Sequence, residues 1–139
     1  MGETDLTCAK SPCISCPYRK DVPSGVWGAE EYEKLPLYDG TILEQAARGT
    51  IASFFCHQNN GKLCAGWVGA HGPRNLLALR LRPVANAVFD YKSPVPLFPS
   101  GKAACTHGKA MIKRPSKAAR EMIAMILQKR PDIEDTRGT

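Results

Sequence analysis

The residues of this 139-residue chain best equipped for chemistry are six cysteines and three histidines. Cys13 and Cys16 stand in the run PCISCP, a C-x2-C spacing. That spacing lets two thiolates from one tight turn grip a single ion while backbone amides hydrogen-bond the sulfurs. Cys56 and Cys64 bracket Asn60-Gly61 in FCHQNNGKLCAGW. Asn-Gly is a strong hairpin signal, and a hairpin with a cysteine on either side of its turn brings two thiolates together. Two turn-closed pairs make a four-thiolate site, suited to tetrahedral Zn²⁺ or to an iron–sulfur cluster. The seven-residue gap in the second pair departs from a doubled C-x2-C.

Zinc is the expected ion, the default for small four-cysteine sites. A 4Fe-4S cluster is the alternative, because Pro17 directly follows Cys16, as in many ferredoxin-type ligand runs. His57, next to Cys56, could replace a cysteine in a Cys3His site. A thioredoxin-type redox pair needs a strand before the first cysteine and a helix starting at it. Here Pro12 and Pro17 flank a loop with no strand-like run ahead of it, which argues against redox chemistry. Arg19 and Asp21, just past the pair, suit an outer role: Arg19 to neutralise a dianionic zinc–thiolate centre, Asp21 to pair with it. Trp27 and Trp67 read as core residues packed over the site.

The other candidates are weaker. Cys8 and Cys105 have no local partner. Cys105 and His107, in ACTHGKAMIKR, form a conceivable nucleophile pair with lysines nearby, but no acid or oxyanion partner is evident. A structural or surface role fits them better, and a turn or capping role fits His71 in GAHGP. Four closed thiolates leave no open coordination position, which leans away from an enzyme. A zinc deaminase would place HxE before the PCxxC, and none precedes it.

Length and composition bound the setting. The chain suits one domain with a modest core, and 43% hydrophobic residues argue against global disorder. Twelve glycines and eleven prolines break it often. It contains no apolar run long enough to span a membrane. MGETDLTCAK lacks the basic and apolar regions of a secretory signal, and Leu6 stands where myristoylation wants Ser or Thr. The expected location is the cytoplasm, where six cysteines read as ligands or catalysts rather than disulfides. Net charge is +6 and uneven: residues 1–50 hold five basic and eight acidic side chains, residues 101–139 nine and four. Lys109, Lys113, Arg114, Lys117 and Arg120 are therefore expected to form a docking face for nucleic acid or an acidic host protein.

The positioning elements are short. Residues 28–35 read as a helix stopped by Pro36. Residues 42–48 read as a helix with a Thr41/Glu44 capping box and Gly49 just past its end. Residues 50–57 read as a strand and 58–62 as a turn. Residues 63–70 could form a second strand or begin a helix, and 84–91 are equally ambiguous. Pro73 opens a Leu-rich helix over 72–82, and 92–102 is a Pro-rich connection. Residues 114–131 are the clearest helix, capped by Ser116, with an apolar stripe of Ala118, Ala119, Met122, Ile123 and Ile126.

Residues 12–21, in PCISCPYRKD, and residues 56–67, in CHQNNGKLCAGW, resemble an uncharacterised family of small actinobacterial and actinophage proteins. That family carries PCxxCP(Trp/Tyr)RxD and CH…CxGW segments, and PSGKAACTHG looks like a further one. The resemblance implies a phage or actinobacterial origin and a shared metal site, and it supplies no function. The expected architecture is α+β: a small single domain with a short β-hairpin and several helices around the four-cysteine site. Residues 1–11 would be a flexible arm, 12–130 the metal-stabilised domain and 131–139 a frayed tail. Metal would supply folding free energy that so small a core lacks.

Overall fold

The computed structural model describes residues 5–56 and 61–129. Gly28 precedes α1 (Ala29–Glu33), with Glu30 and Glu31 in its first turn, where the helix end is positive. Pro36 does not simply stop the chain turning. It sits at the start of a 3-10 turn, Leu35–Tyr38, where its missing N–H costs nothing. α2 (Ile42–Arg48) matches its expected bounds. Thr41 Oγ1 accepts the Glu44 N–H (3.1 Å), and Glu44 returns its carboxylate to the Thr41 N–H (2.8 Å). Gly49 closes the helix at φ 73°, ψ 26°.

The expected α+β architecture with a β-hairpin is overturned. Among the described residues there are six α-helices and no strand. Residues 50–56 are irregular, and their pairing with Leu63 stops at one antiparallel bridge from Phe55. The hydrogen bonds Cys56 N–H to Lys62 O (2.9 Å) and Cys64 N–H to Phe54 O (2.8 Å) enclose that bridge. The ladder cannot continue because Cys64 is already the N-cap of α3 (Ala65–His71). Asn60 lies outside the described residues.

Leu63 is also held from its other side. Its N–H donates to Thr7 O (2.8 Å) and its carbonyl accepts the Ala9 N–H (3.2 Å). Leu6 is tied in the same way to Pro83 and Ala85 (3.0 and 2.9 Å). The described part of the N-terminal segment is thus strapped to the body, with Ala9 buried.

The helix expected over 72–82 divides. Pro73–Asn75 forms a 3-10 turn, Leu76 is extended, and α4 covers only Leu77–Arg80. Gln45 of α2 accounts for the break: its side chain donates to Asn75 O (2.6 Å) and accepts the Leu77 N–H (3.0 Å). Residues 84–91 resolve as a 3-10 turn, Asn86–Asp90.

α5 (Gly101–Lys109) is absent from the sequence expectation. Ser100 Oγ caps it at the Ala103 N–H (3.1 Å), and the Asp39 carboxylate accepts the Gly101 and Lys102 N–H groups (2.7 and 2.9 Å). Its glycines are contact points rather than helix breakers. A Cβ at Gly101 would overlap the Leu35 carbonyl, and one at Gly108 would enter the Tyr32 ring. α5 therefore lies directly against α1 and the Leu35–Tyr38 turn. α6 (Lys117–Lys129) starts where Ser116 Oγ accepts the Ala119 N–H (3.1 Å). It buries Ala119 and Ile126 and half-buries Met122 and Ile123, while Ala118 faces solvent. Trp67, Tyr18, Tyr32, Leu35, Leu63 and Leu76 are the largest fully buried side chains.

Candidate metal centre

The C-x2-C segment closes as a turn, with the Cys16 N–H donating to Cys13 O (2.9 Å) and the Arg19 N–H to Cys16 O (3.1 Å). Three clasps hold the turn. Trp27 Nε1 donates to Ser15 O (2.7 Å). Arg19 Nη1 donates to Pro12 O (3.2 Å), and the same guanidinium grips Asp21 through two bonds of 2.8 and 2.7 Å. Arg19 and Asp21 thus act as a brace across the base of the cysteine loop. The pair stabilises both charges: its hydrogen bonds raise Arg19 and lower Asp21 from their ordinary values.

From this turn Cys16 points inward, fully buried, against α3. Its Sγ lies 3.8 Å from Cys64 Sγ. Cys64 caps α3, its sulfur accepting the Trp67 N–H (3.5 Å). Gly66 makes the approach possible, because a Cβ there would overlap Cys16 Sγ and press on Tyr18 Cβ at 3.1 Å. Cys13, half-buried beside Ser15 Oγ (3.7 Å), shares a hydrogen bond with the Cys56 thiol. The expected ligands thus stand as two pairs, Cys16 with Cys64 and Cys13 with Cys56, each joining segments more than forty residues apart. Among the described residues, no three His, Cys, Asp or Glu side chains form a ready-made metal cage. His57 lies outside the described residues.

Cys8, Cys13 and Cys16 resist ionisation in this arrangement. Cys13 is pushed up by its hydrogen bond with Cys56 and then by burial. Cys16 is pushed up by burial and then by its hydrogen bond with Cys64. Cys8 joins the group at its edge: burial first, then the nearby Cys64 and Cys56, raise it to about 12. Protonated thiols hydrogen-bond two at a time, whereas a divalent cation inverts the local electrostatics and draws thiolates to one point.

Behind the cysteines, Tyr18 OH meets His71 Nε2 at 2.8 Å, and His71 Nδ1 lies 3.4 Å from Asp39 Oδ1. Burial lowers His71 to about 4, with Asp39 opposing, so the ring is neutral. The expected turn or capping role of His71 becomes a tie between the cysteine loop, α3 and the start of α5. Trp67 joins this layer, edge-on to Tyr38 at 5.3 Å and stacked with Phe54 at 6.3 Å.

Cys105 and His107 do not form a pair. Positions i and i+2 of a helix diverge, and both residues lie on α5. His107 Nε2 binds Val22 O (2.8 Å) and its ring packs on Phe98 at 5.0 Å, while burial raises the Cys105 thiol. The basic residues also separate. All five are exposed; Lys109 pairs with Glu33 (2.7 Å) and Arg120 donates to Pro115 O (3.0 Å). Gly66 enters the sequence only as the glycine of the CxGW segment, and Asp39 stands in no motif. The glycine directly before Trp67 was the available signal for the first, and nothing local marks the second.

Fold and site together define a small helical domain organised on a buried cluster of cysteine thiols. The chain belongs to a family of unknown function (DUF6283), whose model matches residues 8–130. Neither the curated proteins nor the solved structures give a significant match. Among the described residues no helix is long and apolar enough to cross a membrane.

Proposed function

We propose that this chain is a metal-stabilised docking module: Cys13, Cys16, Cys56 and Cys64 hold one Zn²⁺, and the basic C-terminal half meets an anionic partner. The 3.8 Å separation of Cys16 and Cys64 sulfurs carries the reading. Two thiolates about 2.3 Å from one tetrahedral ion stand about 3.8 Å apart. In an iron–sulfur cube each thiolate binds a different iron, and the sulfurs lie further apart. The role of the ion is to lock the cysteine turn, the segment before Leu63 and the start of α3 into one unit. A resident zinc closed by four thiolates has no position for substrate. The phage or actinobacterial source implied by the sequence resemblance is part of the same proposal.

Metal analysis and an absorption spectrum of protein purified without oxygen test it. About one zinc per chain and no visible colour is the expected result. Iron with sulfide and a broad band near 400 nm would replace zinc by a cluster. Absence of both would end the metal reading.

A further inference from the structure

A surface cavity of about 410 Å³ opens where the end of α5 turns toward α6. Ala29, Ala110, Met111 and Ile112 give it an apolar floor, and Lys109, Lys113 and Arg114 give it a cationic rim. Met111 is 49% exposed, an unbranched and adaptable side chain left at the surface. Among the described residues Lys113 and Arg114 have no acidic partner. Lys109 is already paired with Glu33 at 2.7 Å, so the charge open to a partner is that of Lys113 and Arg114.

The cavity wall is built in advance. Ser24 Oγ donates to Gly108 O (3.1 Å) and accepts the Met111 N–H (2.8 Å), and the Gly25 N–H donates to Gly108 O (2.9 Å). Gly25 has φ +82°, and a Cβ there would press on Met111 O at 2.9 Å. Ser24 and Gly25 end the same loop that starts at the cysteine turn, and Val22 of that loop holds His107. The shape of the cavity is thereby linked to the proposed metal site.

We propose that this cavity docks an acidic peptide segment of a protein partner, an apolar side chain seated over Met111 and Ile112 and carboxylates on Lys113 and Arg114. The proposal rests on the docking part of the reading above and names its partner class. Single-stranded nucleic acid is the poorer fit. Binders of that kind stack bases on aromatic rings, and no aromatic residue lines this cavity.

The test is fluorescence anisotropy on the zinc-loaded full chain with three labelled probes: the peptide ELEELE, its counterpart KLKKLK, and oligothymidylate. Saturable binding of ELEELE that weakens with salt, and no binding of KLKKLK, is expected. Lys113→Glu with Arg114→Glu should weaken ELEELE binding by about tenfold or more. Arg82→Glu with Lys92→Glu, both exposed and outside the cavity, makes the same change in net charge and should weaken it less than about threefold. Met111→Ser should also weaken it without altering the salt dependence. Equal losses from both charge reversals would overturn the proposal by reducing it to bulk electrostatics. Oligothymidylate binding without ELEELE binding would overturn it and leave the broader docking function standing. If neither probe binds, both fall, while the metal content of the same sample reports independently on the zinc reading.

Discussion

Gly66→Ala is the sharpest test of how the thiols are gathered. The new methyl would occupy the space of Cys16 Sγ and lie 3.1 Å from Tyr18 Cβ. Neither neighbour can step aside: both residues are fully buried, and the cysteine turn is clasped by Trp27 and Arg19. An overlap this deep stands at the upper end of overpacking costs, about 3 kcal/mol, against about 0.5–1 kcal/mol gained by replacing a helical glycine. The net loss is about 2 kcal/mol, or about 7 °C in Tm for a chain of this size. On the proposed site, zinc affinity should fall by about 100-fold or more, since a proposed ligand is displaced. Gly69→Ala is the internal control on the same helix. Its Cβ would crowd the movable end of Leu97, at 2.8 Å, and touch Ser93 Cβ and Tyr91 Cε2 at an ordinary 3.5 Å, so stability should stay within about 1 kcal/mol and zinc affinity unchanged. Thermal unfolding with and without chelator, together with competitive zinc titration, reads both effects. The stability loss should persist in chelator, because the overlap needs no metal. If the two variants behave alike, Cys16 does not pack against α3 as described.

Other outcomes follow from the same geometry. Cys64→Ser and Cys16→Ser should each abolish stoichiometric zinc in metal analysis, while Cys105→Ser on α5 should retain it. His71 gives a pH signature. Its folded value of about 4 lies below the unfolded 6.5, so the unfolded chain takes the proton first. The contribution is complete above about pH 6.5 and is lost as pH falls toward 4, by up to about 3 kcal/mol. Asp39, Tyr18 and Tyr38 are the titratable groups that face the ring. Urea unfolding of chelator-treated protein at pH 7 and 4.5 should show a larger drop for the parent than for His71→Asn, and equal drops would refute this account. Thr41→Ala should cost about 1 kcal/mol through the lost cap of α2, seen as a lower urea midpoint at unchanged slope.

The sequence by itself determined what short-range chemistry decides. Thr41, Glu44 and Gly49 satisfy the ends of α2 within a few residues, so its bounds are legible. The same holds for the Ser116 cap of α6, for its apolar stripe apart from the solvent-facing Ala118, and for the C-x2-C turn. Spacing nominated the four cysteines as turn-closed pairs, Cys13 with Cys16 and Cys56 with Cys64, whereas the fold pairs Cys16 with Cys64 and Cys13 with Cys56. Tertiary structure decided the rest. Residues 50–56 have strand composition, but their partner is taken over by the Cys64 cap and by Thr7 and Ala9, so one bridge forms and no hairpin. α5 carries two glycines that lower its intrinsic propensity, and it folds because those glycines admit Leu35 and Tyr32 and because Asp39, distant in sequence, satisfies its first N–H groups. Even the meeting of Cys16 with Cys64 depends on the missing side chain of Gly66. Spacing can nominate ligands, but the room for a sulfur beside a helix is a property of two segments packed together.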